Sequence, residues 1–128
     1  MIDADATSIA TLGKWLMVGF FVVAGLNNLT RARIKDHVDR LGALGLPFPA
    51  GVFWFGMTLQ FTGCALVLSG WHARAGVICL IVFTVVANAL FHRFWTATDP
   101  VRRNTLRLML LNGIAITGGL LLLLAHTA

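Results

Sequence analysis

The chain has 128 residues, of which 58% are hydrophobic and only 12% are charged. This charged share is about half of the roughly 25% found in soluble globular domains, so the composition excludes a soluble domain and indicates a membrane protein. Ten Lys and Arg residues against five Asp residues give a net charge of +5, which membrane topology explains better than a nucleic-acid partner.

The first apolar run extends from about residue 9 to residue 29. It is long enough to cross a bilayer core, which takes about 20 residues. The polar residues before it include Asp3 and Asp5, unlike the basic leader of a secretion signal, and no A-x-A cleavage pattern follows. We therefore expect the run to be retained as a transmembrane helix, with Lys14 and Trp15 near its outer end.

The connection that follows, residues 30–50, has the pattern of a short amphipathic helix. Its apolar residues Ile34, Val38 and Leu41 recur at helical spacing, while polar residues, including His37, fill the other faces. We expect this helix to lie in the membrane interface and to end at one of the two glycines that follow it. A solvated basic loop is the alternative.

Three further apolar runs are each long enough to cross the membrane. They cover about residues 52–69, 75–91 and 106–125. A tight turn at residues 70–74 joins the first two of these, and Asp99 with Pro100 predicts an N-cap and a first-turn proline for the last helix. The sequence therefore predicts an all-α fold, an antiparallel bundle of four transmembrane helices forming one membrane domain over residues 1–128.

The distribution of basic residues predicts how the bundle is oriented. With four crossings, the chain ends and the middle turn share one side, which carries Lys14 and Arg74. The other side carries the remaining Lys and Arg residues, which are Arg31, Arg33, Lys35, Arg40, Arg93, Arg102, Arg103 and Arg107. Because basic short loops stay in the cytoplasm, we expect both termini on the periplasmic or outer face of the cell membrane. Arg102, Arg103 and Arg107 are expected to bind anionic lipid headgroups.

Polar residues within the four runs are predicted to meet in the cytoplasmic half of the bundle. They are Asn27, Asn28, Gln60, Asn88, His92 and Asn112. Polar side chains in hydrocarbon normally face a bundle interior or a wet cavity. The sequence therefore predicts a polar pocket that opens toward the cytoplasmic leaflet, with aromatic walls. The expected wall residues are Trp54, Phe91, Phe94 and Trp95.

Such a pocket could hold a quinone or a lipid headgroup whose carbonyls accept hydrogen bonds from Gln60, Asn88 or His92. On a continued helix, Trp95 follows close to the face of Asn88 and His92, and with Asn112 it completes the candidate binding set. His92 is the candidate catalytic residue, because an imidazole can shuttle protons. Two plainer alternatives stay open: the amides only join helices, and His92 only satisfies carbonyls at a helix end.

Other cofactors are less well supported by the sequence. No second histidine is predicted at the depth of His92, so a bis-histidine haem is not expected. Cys64 and Cys79, at similar predicted depth on neighbouring helices, could form a thiol pair, although buried cysteines more often pack as small apolar residues. Neither cysteine lies in a CxxC or metal-ligand pattern, so no metal site is predicted.

Five short motifs stand in order along nearly the whole chain. They are G-L-N-N-L from Gly25, L-G-A-L-G-L-P-F-P from Leu41, F-H-R-F-W from Phe91, D-P-V-R-R from Asp99 and G-G-L-L-L-L from Gly118. Together they resemble the DoxX family of small four-helix bacterial membrane proteins. The resemblance implies association with respiratory or sulfur oxidoreductases, thiosulfate:quinone oxidoreductase among them, and with thiol and superoxide defence complexes. By position it extends to His92, Trp95, Asp99 and Arg103.

The chain departs from this family pattern early in the fourth run. Related members often have a glutamine and a lysine-asparagine pair there, whereas this chain has Leu106, and Asn112 followed by Gly113. The resemblance therefore does not carry a polar catalytic constellation over to this helix.

The sequence leaves three functional hypotheses. The first is an accessory or quinone-interacting subunit of a membrane oxidoreductase of the respiratory type. The second is a structural or assembly factor that binds partner transmembrane helices, or a second copy of itself, through small residues such as Gly118 and Gly119. The third is an autonomous enzyme acting on a membrane-soluble or thiol substrate. The sequence contains no nucleotide loop or nucleophile-base pair that would name its reaction.

Overall fold

A computed structural model describes residues 4–127, so the polar residue Asp3 lies outside the described part of the chain. Every regular element in the described part is helical. The elements are α1 (Ala4–Asn27), α2 (Arg31–Ala43), α3 (Pro49–Ser69), α4 (Ala73–Phe91), a 3-10 turn (Phe94–Thr96) and α5 (Pro100–Ala125). Four of these helices, α1, α3, α4 and α5, are long and apolar enough to span a membrane, which confirms the predicted four-helix membrane bundle.

The long helices pack as a four-membered ring in which α1 and α4 each contact both α3 and α5. Seven side chains form its core, each no more than 3% exposed. They are Val18, Phe21, Cys64, Val67, Val77, Leu80 and Leu120. At one end of the bundle the Arg74 guanidinium on α4 donates to the backbone oxygens of Leu124 and Thr127, at 3.4 and 3.5 Å. This contact joins the start of α4 to the end of α5.

The helices α3 and α4 approach each other at a pair of glycines. A Cβ atom on Gly76 would lie 2.8 Å from the backbone oxygen of Gly63, and a Cβ atom on Gly63 would lie 2.9 Å from that of Gly76. Both distances are shorter than real Cβ contacts allow, so only glycine permits this approach. Small residues at a helix interface let the backbones approach closely, which increases van der Waals packing between helices in a lipid environment.

The predicted amphipathic helix is present as α2. The Thr30 hydroxyl caps its start by accepting from the backbone N–H of Arg33 at 3.4 Å. Its apolar face packs on α3, where Leu41 is 1% exposed and forms a cluster with Phe53 and Met57. The chain leaves α2 through Gly45, which has a φ of 81° that favours glycine. Helix α2 therefore lies against one end of the bundle.

Helix α5 begins at Pro100 rather than near residue 106, where the apolar run starts. Its start is set by Asp99, whose carboxylate accepts from the backbone N–H of Arg102 at 3.3 Å. Proline at the first helical position needs no hydrogen-bond partner for its nitrogen. The predicted cap is confirmed, and the three arginines expected at the lipid headgroups belong to the first turns of α5.

Candidate functional site

A cleft of about 1040 Å³ enters the bundle, and residues from all five α-helices line it. Most of its wall is apolar. The polar and charged residues in the wall are Asn28, Arg33, Asp36, His37, Arg40, Gln60, Thr84, Asn88, His92, Arg102, Thr105 and Asn112. The charged ones come from α2 and from the first turn of α5, so the cleft is charged at its α2 end and nearly uncharged farther inside.

Gln60 is the most deeply buried polar side chain of the cleft, with 1% exposure. Its amide nitrogen donates to the backbone oxygen of Phe21 at 2.6 Å, which fixes the orientation of the amide. Its amide oxygen Oε1 is buried and has no hydrogen-bond partner among the described residues. An unpaired buried acceptor costs about 1–3 kcal/mol, so this atom favours the arrival of a hydrogen-bond donor.

Asn88 and His92 form a second polar pair, nearer to α2. The Nδ1–H of His92 donates to the amide oxygen of Asn88 at 2.6 Å, and helix α4 ends one residue before His92. Because an amide oxygen can only accept, the proton lies on Nδ1, and Nε2 of a neutral ring is left as an acceptor. The amide of Asn88 packs directly on Gly113 of α5. The imidazole of His92 therefore bonds a side chain rather than the terminal carbonyls of α4.

His37 of α2 also lies in the cleft, a position that sequence reasoning missed. Its Nε2–H donates to the amide oxygen of Asn28 at 3.2 Å. Its ring stacks on Phe53, with 5.7 Å between centroids and 17° between planes, and meets Phe91 edge-on at 5.2 Å. Its other nitrogen, Nδ1, is buried and has no partner among the described residues. Residues 34, 37, 38 and 41 form a complete helical stripe, so the spacing alone could have placed His37 on the packed face.

The environment of His37 favours its neutral form. Burial lowers the pKa of His37 below its ordinary value of 6.5, and the Arg40 and Arg33 guanidiniums lower it further, while the Asp36 carboxylate opposes them. The ring is therefore uncharged near pH 7. With its one proton donated to Asn28, its buried Nδ1 keeps a lone pair that no described residue uses.

Four of the five residues predicted to bind a ligand line this cleft: Gln60, Asn88, His92 and Asn112. Trp95 does not, because α4 ends at Phe91 and the chain enters the 3-10 turn, which ends the helical spacing on which the prediction relied. Trp95 is 58% exposed and lies edge-on to Phe94, with 5.4 Å between ring centroids.

Of the four aromatic residues expected in the pocket wall and the three arginines expected at the headgroups, the structure places only some in the cleft. Phe91 lines the cleft, whereas Trp54 and Phe94 do not. Arg102 lines the cleft, whereas the guanidiniums of Arg103 and Arg107 lie 6.0 and 5.3 Å from the ring centre of Phe94. Asn27, the remaining polar residue of the predicted pocket, is exposed and lies outside the cleft.

The structure also locates the groups considered for other cofactors. Cys64 is buried in the core, Cys79 is half-buried, and both are free thiols, so their pairing stays a prediction. Residues 4–127 contain no group of three His, Cys, Asp or Glu residues placed to hold a metal ion. His37 and His92 line one cleft, which differs from the expectation that His92 has no second histidine near it.

The contact between Asn88 and Gly113 can be tested directly. A Gly113→Ala substitution places a methyl group on the Asn88 amide, which must rotate and release His92. We expect a loss of about 1–3 kcal/mol in the free energy of unfolding. Nitrogen-detected NMR should show that Nδ1 of His92 no longer carries a fixed proton. Gly118→Ala is the control, since a Cβ there meets nothing within 4 Å, and equal effects in the two variants would contradict the contact.

Comparison with known proteins gives one finding. A family model described as DoxX matches residues 9–93, which is more than half of the chain. The matched segment contains Gln60, Asn88 and His92 and ends before Trp95 and Asp99. No curated protein and no solved structure gives a significant match.

Proposed function

The chain belongs to the DoxX family and is a small multi-pass integral membrane protein, and we propose that it binds a quinone-type ring as a subunit of a respiratory-type membrane oxidoreductase. One observation carries this proposal. Gln60, whose buried amide oxygen has no hydrogen-bond partner among the described residues, lines a largely apolar cleft that two imidazoles also line. Sites for small ligands typically combine an apolar wall with a few convergent polar atoms.

The size and wall of the cleft support a ring with an apolar tail. Its volume of about 1040 Å³ is at the upper end of the roughly 300–1,000 Å³ that is usual for ligand pockets. Phe53, Met57 and Phe91 provide apolar and aromatic surface between its deep end and its α2 end. An aromatic or quinoid ring can stack on such surface, and its tail can leave toward the acyl chains.

His92 is the proposed proton acceptor of this site. Its Nδ1–H is held by Asn88, which fixes the ring and leaves Nε2 as a base. An imidazole with a fixed orientation can take a proton from a bound hydroxyl group without first reorganising. Asn88 is therefore a positioning residue for His92 in this proposal.

The proposed orientation places α2 and the 3-10 turn in the cytoplasm. Their side of the bundle carries Arg31, Arg33, Lys35, Arg40, Arg93, Arg102, Arg103 and Arg107, against Lys14 and Arg74 on the other. Short basic connections are retained on the cytoplasmic side. In this orientation the charged end of the cleft meets anionic headgroups, and both chain termini face the periplasm or the cell exterior.

Photolabelling with an azidoquinone tests the proposed function. We expect label on peptides of α3 and α4 that line the cleft, and competition by an excess of unlabelled short-chain quinone. Ala87→Phe fills the cleft and should reduce this labelling about tenfold or more, since a bulky ring displaces the ligand. Ala89→Phe adds the same ring to an exposed position of the same helix and should change little. Label that resists competition, or an equal loss in both variants, would overturn the proposal.

The exposed helices favour a second candidate, an assembly factor that binds partner helices. Only 17% of the apolar window of α1 and 11% of that of α5 are buried within the bundle. Gly118 on α5 has open space at its Cβ position, as an interface with a partner helix requires. This role needs no ligand. It would be favoured if the azidoquinone did not label the protein and the protein still captured its partner.

A further inference from the structure

The end of the cleft beside α2 has an excess of positive charge. We infer that this end binds the phosphate of an acidic phospholipid, whose acyl chain lies along the apolar wall of the cleft. The inference goes beyond the proposed function, because it concerns the charged end of the cleft and does not depend on which ring binds inside. The class of ligand is an anionic group joined to an apolar chain.

Three guanidiniums but only one carboxylate line the cleft. Arg33, Arg40 and Arg102 carry the positive charges, and Asp36 carries the negative one. The carboxylate of Asp36 is paired with Nε of Arg40 at 3.3 Å. Among the described residues, the guanidiniums of Arg33 and Arg102 have neither an ion pair nor a hydrogen bond. Two of the three positive charges are therefore available to an external anion.

The positive charges come from two helices. Arg33 and Arg40 lie about two turns apart on one face of α2, and Arg102 belongs to the first turn of α5. A guanidinium can donate two parallel hydrogen bonds to phosphate oxygens, so arginines on different helices can hold one phosphate from different directions. Basic pockets between transmembrane helices bind acidic lipid headgroups in this way.

The apolar wall of the cleft is open to the bilayer. Several large apolar side chains in this wall are between 42% and 71% exposed, which in a membrane-spanning bundle places them against acyl chains. They are Phe20, Phe55, Val82, Val86 and Met109. The charged end of the cleft lies where the membrane-spanning helix α5 begins, which is the depth of phospholipid headgroups. A lipid can therefore enter from the side, with its chain along the wall and its phosphate at the arginines.

The structure separates the arginines at this end of the bundle into two groups. Arg33 and Arg102 line the cleft, whereas Arg31 does not, and the guanidinium of Arg103 lies 6.0 Å from the ring centre of Phe94. Arg31 is on the same helix as Arg33, and Arg103 directly follows Arg102. Each pair therefore has one arginine inside the cleft and one matched control of the same charge outside it.

Lipid titrations test the inference. Delipidated protein in detergent micelles is titrated with phosphatidylglycerol or with phosphatidylcholine that has identical acyl chains, and native mass spectrometry counts the bound lipid. We expect wild-type protein to bind phosphatidylglycerol at least about fivefold more tightly, since the choline group adds a cation that the arginines repel. Arg33→Gln and Arg102→Gln should each weaken the binding of phosphatidylglycerol by about fivefold. Arg31→Gln and Arg103→Gln should change it by less than about twofold.

Two further measurements locate the lipid. Ala87→Phe fills the cleft and should weaken the binding of phosphatidylglycerol by about tenfold or more, with the exposed Ala89→Phe as its control. An excess of inorganic phosphate should not displace the lipid, because burial of the acyl chain supplies much of its affinity.

Each contrary outcome overturns the inference. Equal binding of the two lipids would show that the charged end does not select an acidic headgroup, and equal losses in the control arginine variants would assign the effect to general surface charge. Unchanged binding in Ala87→Phe would place the lipid outside the cleft, and displacement by inorganic phosphate would make a free anion the ligand. Azidoquinone labelling is measured separately, so the proposed function is decided by its own result.

Discussion

Replacing Gly76 with valine is expected to cost about 3 kcal/mol or more of the free energy of unfolding. A Cβ atom at this position would lie 2.8 Å from the backbone oxygen of Gly63, 2.8 Å from Cβ of Leu66 and 2.9 Å from Cγ2 of Val67. Backbone and Cβ atoms cannot turn aside as the end of a flexible side chain can. Helices α3 and α4 must therefore separate, and the core contacts beside them are lost.

Unfolding in mixed micelles with increasing dodecyl sulfate, followed by circular dichroism, measures this loss. Gly118→Val is the matched control, because a Cβ there has nothing within 4 Å and its change should stay within about 0.5 kcal/mol. If Gly76→Val unfolded at the same detergent fraction as the wild type, the close approach of α3 and α4 would not be what stabilises the bundle.

A Gln60→Leu substitution is expected to weaken the binding of a quinone-type ring while leaving the fold intact. Leucine has a similar volume and removes both the hydrogen bond to Phe21 and the unpaired oxygen. Loss of the hydrogen bond to Phe21 costs about 1 kcal/mol, whereas removal of the unpaired buried oxygen stabilises the protein by about 1–3 kcal/mol. The free energy of unfolding should therefore not fall. Binding should weaken by about tenfold or more, because the ligand then loses its hydrogen bond to the side chain of Gln60.

Thr84→Val is the control for this second prediction. Thr84 also lines the cleft and is buried, but its hydroxyl already donates to Leu80 O of its own helix at 2.8 Å. Its removal takes a polar group from the cleft without taking a free acceptor, so the dissociation constant should change little. A similar loss of affinity in both variants would mean that general polarity, rather than the oxygen of Gln60, attracts the ligand.

Local sequence was sufficient for the membrane spans and for the caps. The four apolar runs became four long helices, because the free energy of transferring a side chain to hydrocarbon is a property of each residue and adds along a segment. Asp99 caps α5 as expected, because capping depends only on a side chain and the N–H groups of the next turn.

The structure differs from two predictions about the cleft, and the reasons are different. Trp95 was placed beside His92 by assuming a continued helix, but α4 ends at Phe91 and the 3-10 turn directs the indole outward. His37 was placed on the polar faces of the amphipathic helix, although its ring stacks on Phe53. The first error follows from the position where α4 ends, whereas the helical spacing of residues 34, 37, 38 and 41 could have placed His37 on the packed face.

The sequence by itself determined that this is a helical membrane protein with a basic side, and it identified five of the polar residues of the cleft, Asn28, Gln60, Asn88, His92 and Asn112. Only the tertiary structure decided which hydrogen-bonding atoms of those residues stay unused. The physical reason is that hydrophobicity is summed residue by residue, whereas hydrogen-bond partners depend on how each helix is rotated about its axis. Contacts distant in the chain, such as Gly63 with Gly76 and Asn88 with Gly113, set that rotation.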